Sequence, residues 1–310
     1  MASGPMTIRL RAAALLAAGL TVAACGTGVA AQQPQPSLGA ASAAPATATP
    51  AGAASHPGSG AADAAMPATG PPATGPPATQ PAATQPAAAA RPLAGKTVGI
   101  DPGHNGRNAD DPAYINQLVW NGRAEETCDT TGTETDAGYT EARFNFNVAR
   151  YLEADLRGDG ARVVLTRYGN DGVGPCVNRR AQILNRAHSS VAIDIHADGG
   201  PAWGRGFTVL EPVADGPNDK VIRSSVRFGS DVRSALLRYT SMPRSDYYGY
   251  DGVIFRDDLA GLNLTTVPKI LIETGNMRNA TDARLLQATW FQKRLAEAFT
   301  AAIVAFLARR

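Results

Sequence analysis

Four residues of this 310-residue chain have side-chain types that can bind metal ions or move protons and lie where an apolar segment ends or a helical stretch begins: His104, Glu141, His196 and Glu273. Two imidazoles and one carboxylate form a ligand set that suits a catalytic zinc ion, with a fourth position left for water or substrate. A carboxylate outside that set is free to transfer protons. The residue types therefore predict a zinc hydrolase in which His104, Glu141 and His196 bind the ion and Glu273 handles protons.

The surrounding sequence predicts how these side chains are positioned. Three continuous apolar segments lead to three of them: TVGID (97–101) before the turn with His104, VAIDI (191–195) before His196, and KILIE (269–273) ending on Glu273. Such segments are typical of strands buried on both faces. Glu141 begins a stretch with apolar residues at helical spacing. Because helix N-termini and strand C-termini lie on the same side of a parallel sheet, we expect all four groups to meet at one rim.

The order of these elements predicts an α/β fold, a three-layer α/β/α domain with a twisted sheet that is mostly parallel or mixed. Strands are expected at 97–101, 162–166, 191–195, 206–210 and 269–273, and helices at 140–157, 177–188, 219–239 and 282–308. Two longer insertions stand out, 105–140 and 211–262, and either could restrain activity.

The contexts of the four residues resemble the zinc-dependent N-acetylmuramoyl-L-alanine amidases of the bacterial envelope. The matching motifs are IDPGHNG, EARFNFNVARYLEADLRGDGARVVLTR from Glu141, RRAQILNRAHSSVAIDIHAD and VPKILIETGNMRN, and the resemblance runs from about Lys96 to the C-terminus. It implies one zinc ion on His104, Glu141 and His196, with Glu273 as the catalytic glutamate. It also implies hydrolysis of the amide bond between N-acetylmuramic acid and L-alanine, in peptidoglycan or its fragments, during wall remodelling or recycling.

Each of these residues also has a simpler interpretation. The histidines could be hydrogen-bonded loop residues, and Glu273 an ordinary carboxylate at a strand end. An acidic residue at a helix start favours the helix dipole without any metal, and Glu125, Glu126 and Glu134 lie in the segment before Glu141. Two other functions therefore stay open: a zinc peptidase acting within the stem peptide, and a non-catalytic wall-binding lipoprotein.

The N-terminal part predicts export. Arg9 and Arg11 precede the apolar stretch AAALLAAGLTVAA, which is too short to span a bilayer and is typical of a signal peptide. It ends in a lipobox-like Val-Ala-Ala-Cys, so Cys25 is a candidate for lipidation; cleavage near Ala30 or Ala31 is the alternative. We expect a signal peptide over 1–25, a disordered Ala/Pro/Thr-rich linker over 26–91 and one catalytic domain over 92–310.

This organisation places the protein in the cell envelope, as a membrane-anchored lipoprotein facing the wall or as a secreted or periplasmic protein. Cys128 and Cys176 are expected to form a disulfide there, although two free thiols or two zinc ligands are alternatives. The net charge is only +2 and no Lys/Arg stripe with interleaved aromatics occurs, which argues against a nucleic-acid partner. Arg179, Arg180 and Arg278 are candidates for binding stem-peptide carboxylates, or else solvated or helix-capping residues. A monomer is expected.

Overall fold

The computed structural model describes residues 91–309. The predicted signal peptide, the lipobox at Cys25 and the linker up to residue 90 lie outside the described residues. Within 91–309, none of the helices is both long enough and apolar enough to cross a membrane.

The described part of the chain contains strands interspersed with helices. The strands are β1 (Thr97–Pro102), β2 (Leu118–Trp120), β3 (Glu125–Thr127), β4 (Arg162–Leu165), β5 (Val191–Asp198), β6 (Thr208–Pro212), β7 (Val253–Arg256) and β8 (Lys269–Asn276). The helices are α1 (Pro112–Ile115), α2 (Glu141–Gly158), α3 (Val177–Arg186), α4 (Ile222–Tyr239), α5 (Ala260–Asn263), α6 (Ala280–Gln287) and α7 (Thr289–Ala308).

Six of these strands form one mixed sheet, in the order β4-β1-β5-β8-β6-β7. The strands β4, β1, β5 and β8 are parallel, whereas β6 pairs antiparallel with β8 and β7 runs parallel to β6. The remaining two, β2 and β3, form a separate antiparallel hairpin. The predicted α/β architecture with a mostly parallel or mixed sheet is therefore confirmed.

The two faces of the sheet are covered differently. Helices α2, α4 and α7 pack together over one face, where the main apolar core lies. Helices α3 and α5 cover the other face, which has only small apolar clusters around Leu184 and Leu262. Successive residues of a strand point to opposite faces, so Ile193 and Ile195 enter the core while Asp194 and His196 point to the second face. The charged chemistry of the domain is concentrated on that second face.

Several predicted element boundaries differ from the structure: the strand predicted at 206–210 spans Thr208–Pro212, β5 and β8 each extend three residues further than predicted, and three helices differ more visibly. The helix predicted over 282–308 is wrong, because α6 and α7 are separated at Ala288, whose backbone is extended. Alanine favours helix, so local sequence gives no sign of this break; it is accommodated by Gln292, whose side chain donates to the Leu286 carbonyl oxygen at 2.8 Å. Helix α3 ends two residues earlier than predicted, and α4 begins only after a 3-10 turn at Asp219–Val221.

The strand pair β2–β3 and the edge strand β7 were not expected, and they lie within the two predicted insertions. Each has only three or four residues, too few for a periodic pattern to be recognised. The first insertion is also fastened to α3, because Cys128 after β3 forms a disulfide with Cys176 at the N-terminus of α3. Closing a loop of this size contributes about 4 kcal/mol in the chain-entropy model.

A buried carboxylate interrupts the apolar packing between β6 and α4. Glu211 is 4 % exposed, and no hydrogen-bond or ion-pair partner for it occurs among residues 91–309. Gly229 of α4 leaves room for the Glu211 side chain, because a Cβ at position 229 would lie 2.3 Å from Glu211 Oε1. Burial raises the pKa of Glu211 to about 7.

We expect Glu211→Gln to stabilise the fold at pH 8 and to leave its stability nearly unchanged at pH 4. The pKa of Glu211 is higher in the fold, so its contribution to the free energy of unfolding is fully present below the ordinary value of 4.5. That contribution is lost as the pH rises through about 7, because burial disfavours the ionised carboxylate in the fold. Unfolding midpoints of both proteins across this range provide the measurement, and a difference independent of pH would contradict the prediction.

Candidate active site

His104, Glu141 and His196 meet at the C-terminal edge of the parallel strands. His104 follows β1 in a left-handed backbone conformation with a φ of 55°, which is uncommon for a residue with a side chain. Glu141 is the first residue of α2, and His196 lies near the end of β5. One potential ligand atom from each of the three lies within 4.8 Å of the others. Neither Glu125, Glu126 nor Glu134 belongs to this group.

Glu141 lies between the two imidazoles. Its Oε2 is 3.2 Å from His104 Nε2, and its Oε1 is 2.8 Å from His196 Nδ1. Burial alone would raise the pKa of Glu141, but the two histidines outweigh it and hold that pKa well below its usual value. Burial alone would lower the pKa of His104, but Glu141 and Asp129 raise it to about 9. An ionised carboxylate flanked by two imidazole nitrogens can hold a divalent metal ion.

Glu273 is a further carboxylate on the sheet beside the three grouped side chains. It lies on β8 directly beside His196 of β5, because these two residues are paired in the ladder. Its Oε2 is buried and, within the described part of the chain, has no hydrogen-bond partner. Burial raises the pKa of Glu273 to about 8. A carboxyl group with such a pKa can exchange protons near neutral pH.

The match to known families is consistent with this arrangement. A family model described as N-acetylmuramoyl-L-alanine amidase matches residues 98–305. The chain belongs to the N-acetylmuramoyl-L-alanine amidase family. It is 39% identical over 223 residues to the amidase Rv3717 of Mycobacterium tuberculosis, a match that covers 70% of this chain and 88% of the relative.

Two solved amidase structures share the fold. The amidase Ami1 of Mycobacterium smegmatis is 36% identical, with a TM-score of 0.67 over 70% of this chain and 99% of that one. The apo form of Ami1 from Mycobacterium abscessus is 38% identical, with a TM-score of 0.66 over 69% of this chain and 100% of that one.

The three candidate arginines have different environments in this amidase. Arg180 is not the rim residue that we expected, because it is 3 % exposed and forms ion pairs with Asp101 and Asp129. Its other hydrogen bonds go to backbone and side-chain oxygens of the protein, so it is not available to a substrate carboxylate. Arg179 is exposed beside Gln182, and Arg278 is exposed with Asp136 3.4 Å away. Both remain accessible from solvent.

Sequence reasoning missed the charged residues that surround the histidines. Asp129 Oδ1 is 3.0 Å from His104 Nδ1, and Asp194 Oδ1 is 3.4 Å from His196 Nε2. Of these two aspartates, only Asp194 could be recognised from the sequence, because it lies two residues before His196 and therefore points to the same face of the sheet. Asp129 follows Cys128 in an irregular segment, and nothing in the local sequence predicts its contact with His104.

Gly103 allows His196 to occupy its position. A Cβ at residue 103 would lie 2.2 Å from two ring atoms of His196, and that contact cannot be tolerated without moving the ring. The backbone of Gly103 is outside the left-handed region, so alanine would meet no conformational strain there.

We expect Gly103→Ala to weaken Zn²⁺ binding by about 10-fold or more, since displaced ligands commonly have effects of this size. The dissociation constant can be measured by competition with a chromogenic chelator. Gly158→Ala is the matched control, because no atom lies within 4 Å of its added Cβ. Equal zinc affinity in the two variants, with both folded, would contradict this role for Gly103.

Proposed function

We propose that the protein is a zinc-dependent amidase that hydrolyses the bond between N-acetylmuramic acid and L-alanine in peptidoglycan or its fragments. The observation that carries this proposal is the convergence of His104, Glu141 and His196 beside Glu273, in a chain that matches the amidase family. The names of the mycobacterial relatives support the same reaction.

In this proposal His104, Glu141 and His196 hold one zinc ion. When bound, zinc polarises a scissile carbonyl group and lowers the pKa of a water molecule to roughly 7. Glu273 accepts the proton of the attacking water and then donates it to the nitrogen of the leaving L-alanine. Its raised pKa allows both steps, because the carboxyl group can be protonated and deprotonated near neutral pH.

A cavity beside the two histidines gives part of the substrate room to bind. It has a volume of about 200 Å³ and extends from His104 and His196 towards the hairpin and α5. Its apolar wall includes Leu259, Leu262 and Leu271. A pocket with apolar walls and a few polar groups converging at one end is the usual form of a small-molecule site.

The proposal is tested by incubating the zinc-loaded protein with muramyl-dipeptide and muramyl-tetrapeptide and determining the product masses. N-acetylmuramic acid and intact peptide are expected, and both products should disappear in a chelated sample. Cleavage inside the peptide would instead identify a zinc peptidase. Binding of the fragments without cleavage, despite one bound zinc ion, would support a wall-binding protein.

We also propose that the mature chain acts as a monomer in the cell envelope, anchored through acylated Cys25. The lipobox-like sequence before Cys25 and the family's wall substrate support this location. Labelling of growing cells with an alkyne fatty acid tests it. The wild-type protein should incorporate the label, and Cys25→Ala should lose it.

A further inference from the structure

The two candidate histidine ligands are connected by a continuous series of buried charged groups. Each link joins oppositely charged or hydrogen-bonding atoms on the second face of the sheet. The links are His104 Nδ1 to Asp129 Oδ1 (3.0 Å), Asp129 Oδ2 to Arg180 (3.4 Å), Arg180 to Asp101 Oδ1 (3.0 Å), Asp101 Oδ2 to Lys269 Nζ (2.7 Å), Lys269 Nζ to Asp194 Oδ2 (2.9 Å) and Asp194 Oδ1 to His196 Nε2 (3.4 Å).

Stability alone does not account for this series. Lys269 is 0 % exposed, and the four other charged members are each less than a tenth exposed. Removing an ion from water costs several kcal/mol, and apolar residues of similar volume often stabilise a core at least as well. The series therefore points to a role in fixing the orientation of the groups at its two ends, and both of those ends are imidazoles.

The carboxylates around the two rings indicate which nitrogen each histidine would offer to a metal ion. In each ring one nitrogen faces Glu141, the candidate ligand between them, and the other nitrogen faces an aspartate. His104 faces Glu141 through Nε2 and Asp129 through Nδ1. His196 is turned the other way, because Asp194 faces its Nε2 and Glu141 faces its Nδ1. The two rings thus present different nitrogens to the same point.

The two ends are held by rigid elements. Asp194 and Lys269 lie on the neighbouring strands β5 and β8, so the sheet fixes their separation. Asp129 lies outside the sheet, directly after Cys128. Its partner Arg180 lies in the first turn of α3, the helix that begins after Cys176. The Cys128–Cys176 disulfide therefore holds both partners of the Asp129–Arg180 link together.

We propose that Asp129 and Asp194 are positioning residues that make His104 bind the metal through Nε2 and His196 through Nδ1. Arg180, Asp101 and Lys269 connect these two aspartates through buried ion pairs. This inference rests on the proposed metal site and adds how its ligands are held.

Replacing either carboxylate by an amide tests the idea with little change in shape. Asp129 Oδ1 accepts hydrogen bonds from His104 Nδ1 and from the Thr130 backbone N–H. Its Oδ2 accepts hydrogen bonds from the side chains of Asn105 and Arg180. In either orientation of its side-chain amide, an asparagine at position 129 would therefore point its NH₂ group at other hydrogen-bond donors, with which it cannot form a hydrogen bond. At Asp194, one orientation directs the NH₂ group at Lys269 and the other directs it at His196.

The experiment measures zinc affinity and histidine tautomers in the wild type, Asp129→Asn, Asp194→Asn and Glu153→Gln. Affinity is measured by chelator competition, and tautomers by long-range ¹H–¹⁵N NMR of the zinc-loaded proteins. Glu153→Gln is the matched control, because Glu153 is a buried carboxylate that pairs with Arg150 and Arg157. We expect each aspartate variant to bind zinc about 10–100-fold more weakly, as outer-shell changes typically do, and the control to bind it as the wild type does.

The wild-type spectrum tests the proposal without any substitution. It should show His104 protonated at Nδ1 and His196 protonated at Nε2. The same nitrogen protonated in both rings would overturn the proposal, and so would wild-type zinc affinity in both aspartate variants. A wild-type protein that bound no zinc would instead overturn the proposed function.

Discussion

Glutamine in place of Glu273 is expected to lower the turnover of muramyl-peptide by about 10²–10⁴-fold, the usual contribution of general acid–base catalysis. The amide has the shape of the carboxyl group but cannot accept and return a proton. Glu273 is not among the three grouped ligand candidates, so the variant should still bind one zinc ion. Product formation measured by mass spectrometry, together with metal content, separates these two effects.

Glu126→Gln is the appropriate comparison for this variant. Glu126 is another carboxylate near the histidines; it lines the cavity beside them, and its Oε1 accepts a hydrogen bond from the Ala260 backbone N–H. Replacing Glu126 by glutamine should change turnover far less than replacing Glu273 by glutamine. Full activity in Glu273→Gln with zinc bound would remove Glu273 from the mechanism.

Alanine in place of Glu141 should abolish stoichiometric zinc binding and, with it, detectable hydrolysis. Glu141 contacts both histidines and is the only carboxylate of the grouped ligand candidates in the described part of the chain. Its loss leaves two ligands and should weaken zinc binding by more than the roughly 10–100-fold seen for outer-shell changes. Metal analysis after gel filtration gives the zinc content directly.

Glu134→Ala serves as the control for this second variant. Glu134 lies in the insertion just before Glu141 and was one of the alternative ligand candidates, but it is exposed and lies outside the grouped side chains. It should retain zinc and activity. Zinc retained by Glu141→Ala at wild-type affinity would show that another residue completes the ligand set.

The main features of the fold could be predicted because they depend on local pattern. The apolar segments before His104 and His196 formed adjacent parallel strands, and the helical spacing after Glu141 formed α2. Both patterns arise from burial, which sequence expresses at short range. The break at Ala288 could not be predicted, since it depends on contacts made by Gln292 with distant groups.

The candidate site was predictable to a similar extent. His104, Glu141, His196 and Glu273 follow or begin regular elements, so topology alone brings them to one edge. Arg180 was misplaced because helical periodicity does not distinguish a solvated arginine from one buried against Asp101. Asp129 lies outside the regular elements of the fold and depends on a contact across 25 residues of chain, which no local pattern expresses.

The direct pairing of His196 with Glu273 has a consequence for how such an enzyme can diversify. Neighbouring strands are held about 4.8 Å apart by their backbone hydrogen bonds, so the spacing of the proposed metal ligand and the proposed proton carrier does not depend on any loop. The hairpin and the segment around β7 can therefore change without altering that spacing, provided that Cys128 and Asp129 after the hairpin are kept. Grafting these two segments from a relative with another substrate preference should transfer selectivity while leaving the rate of bond cleavage largely intact.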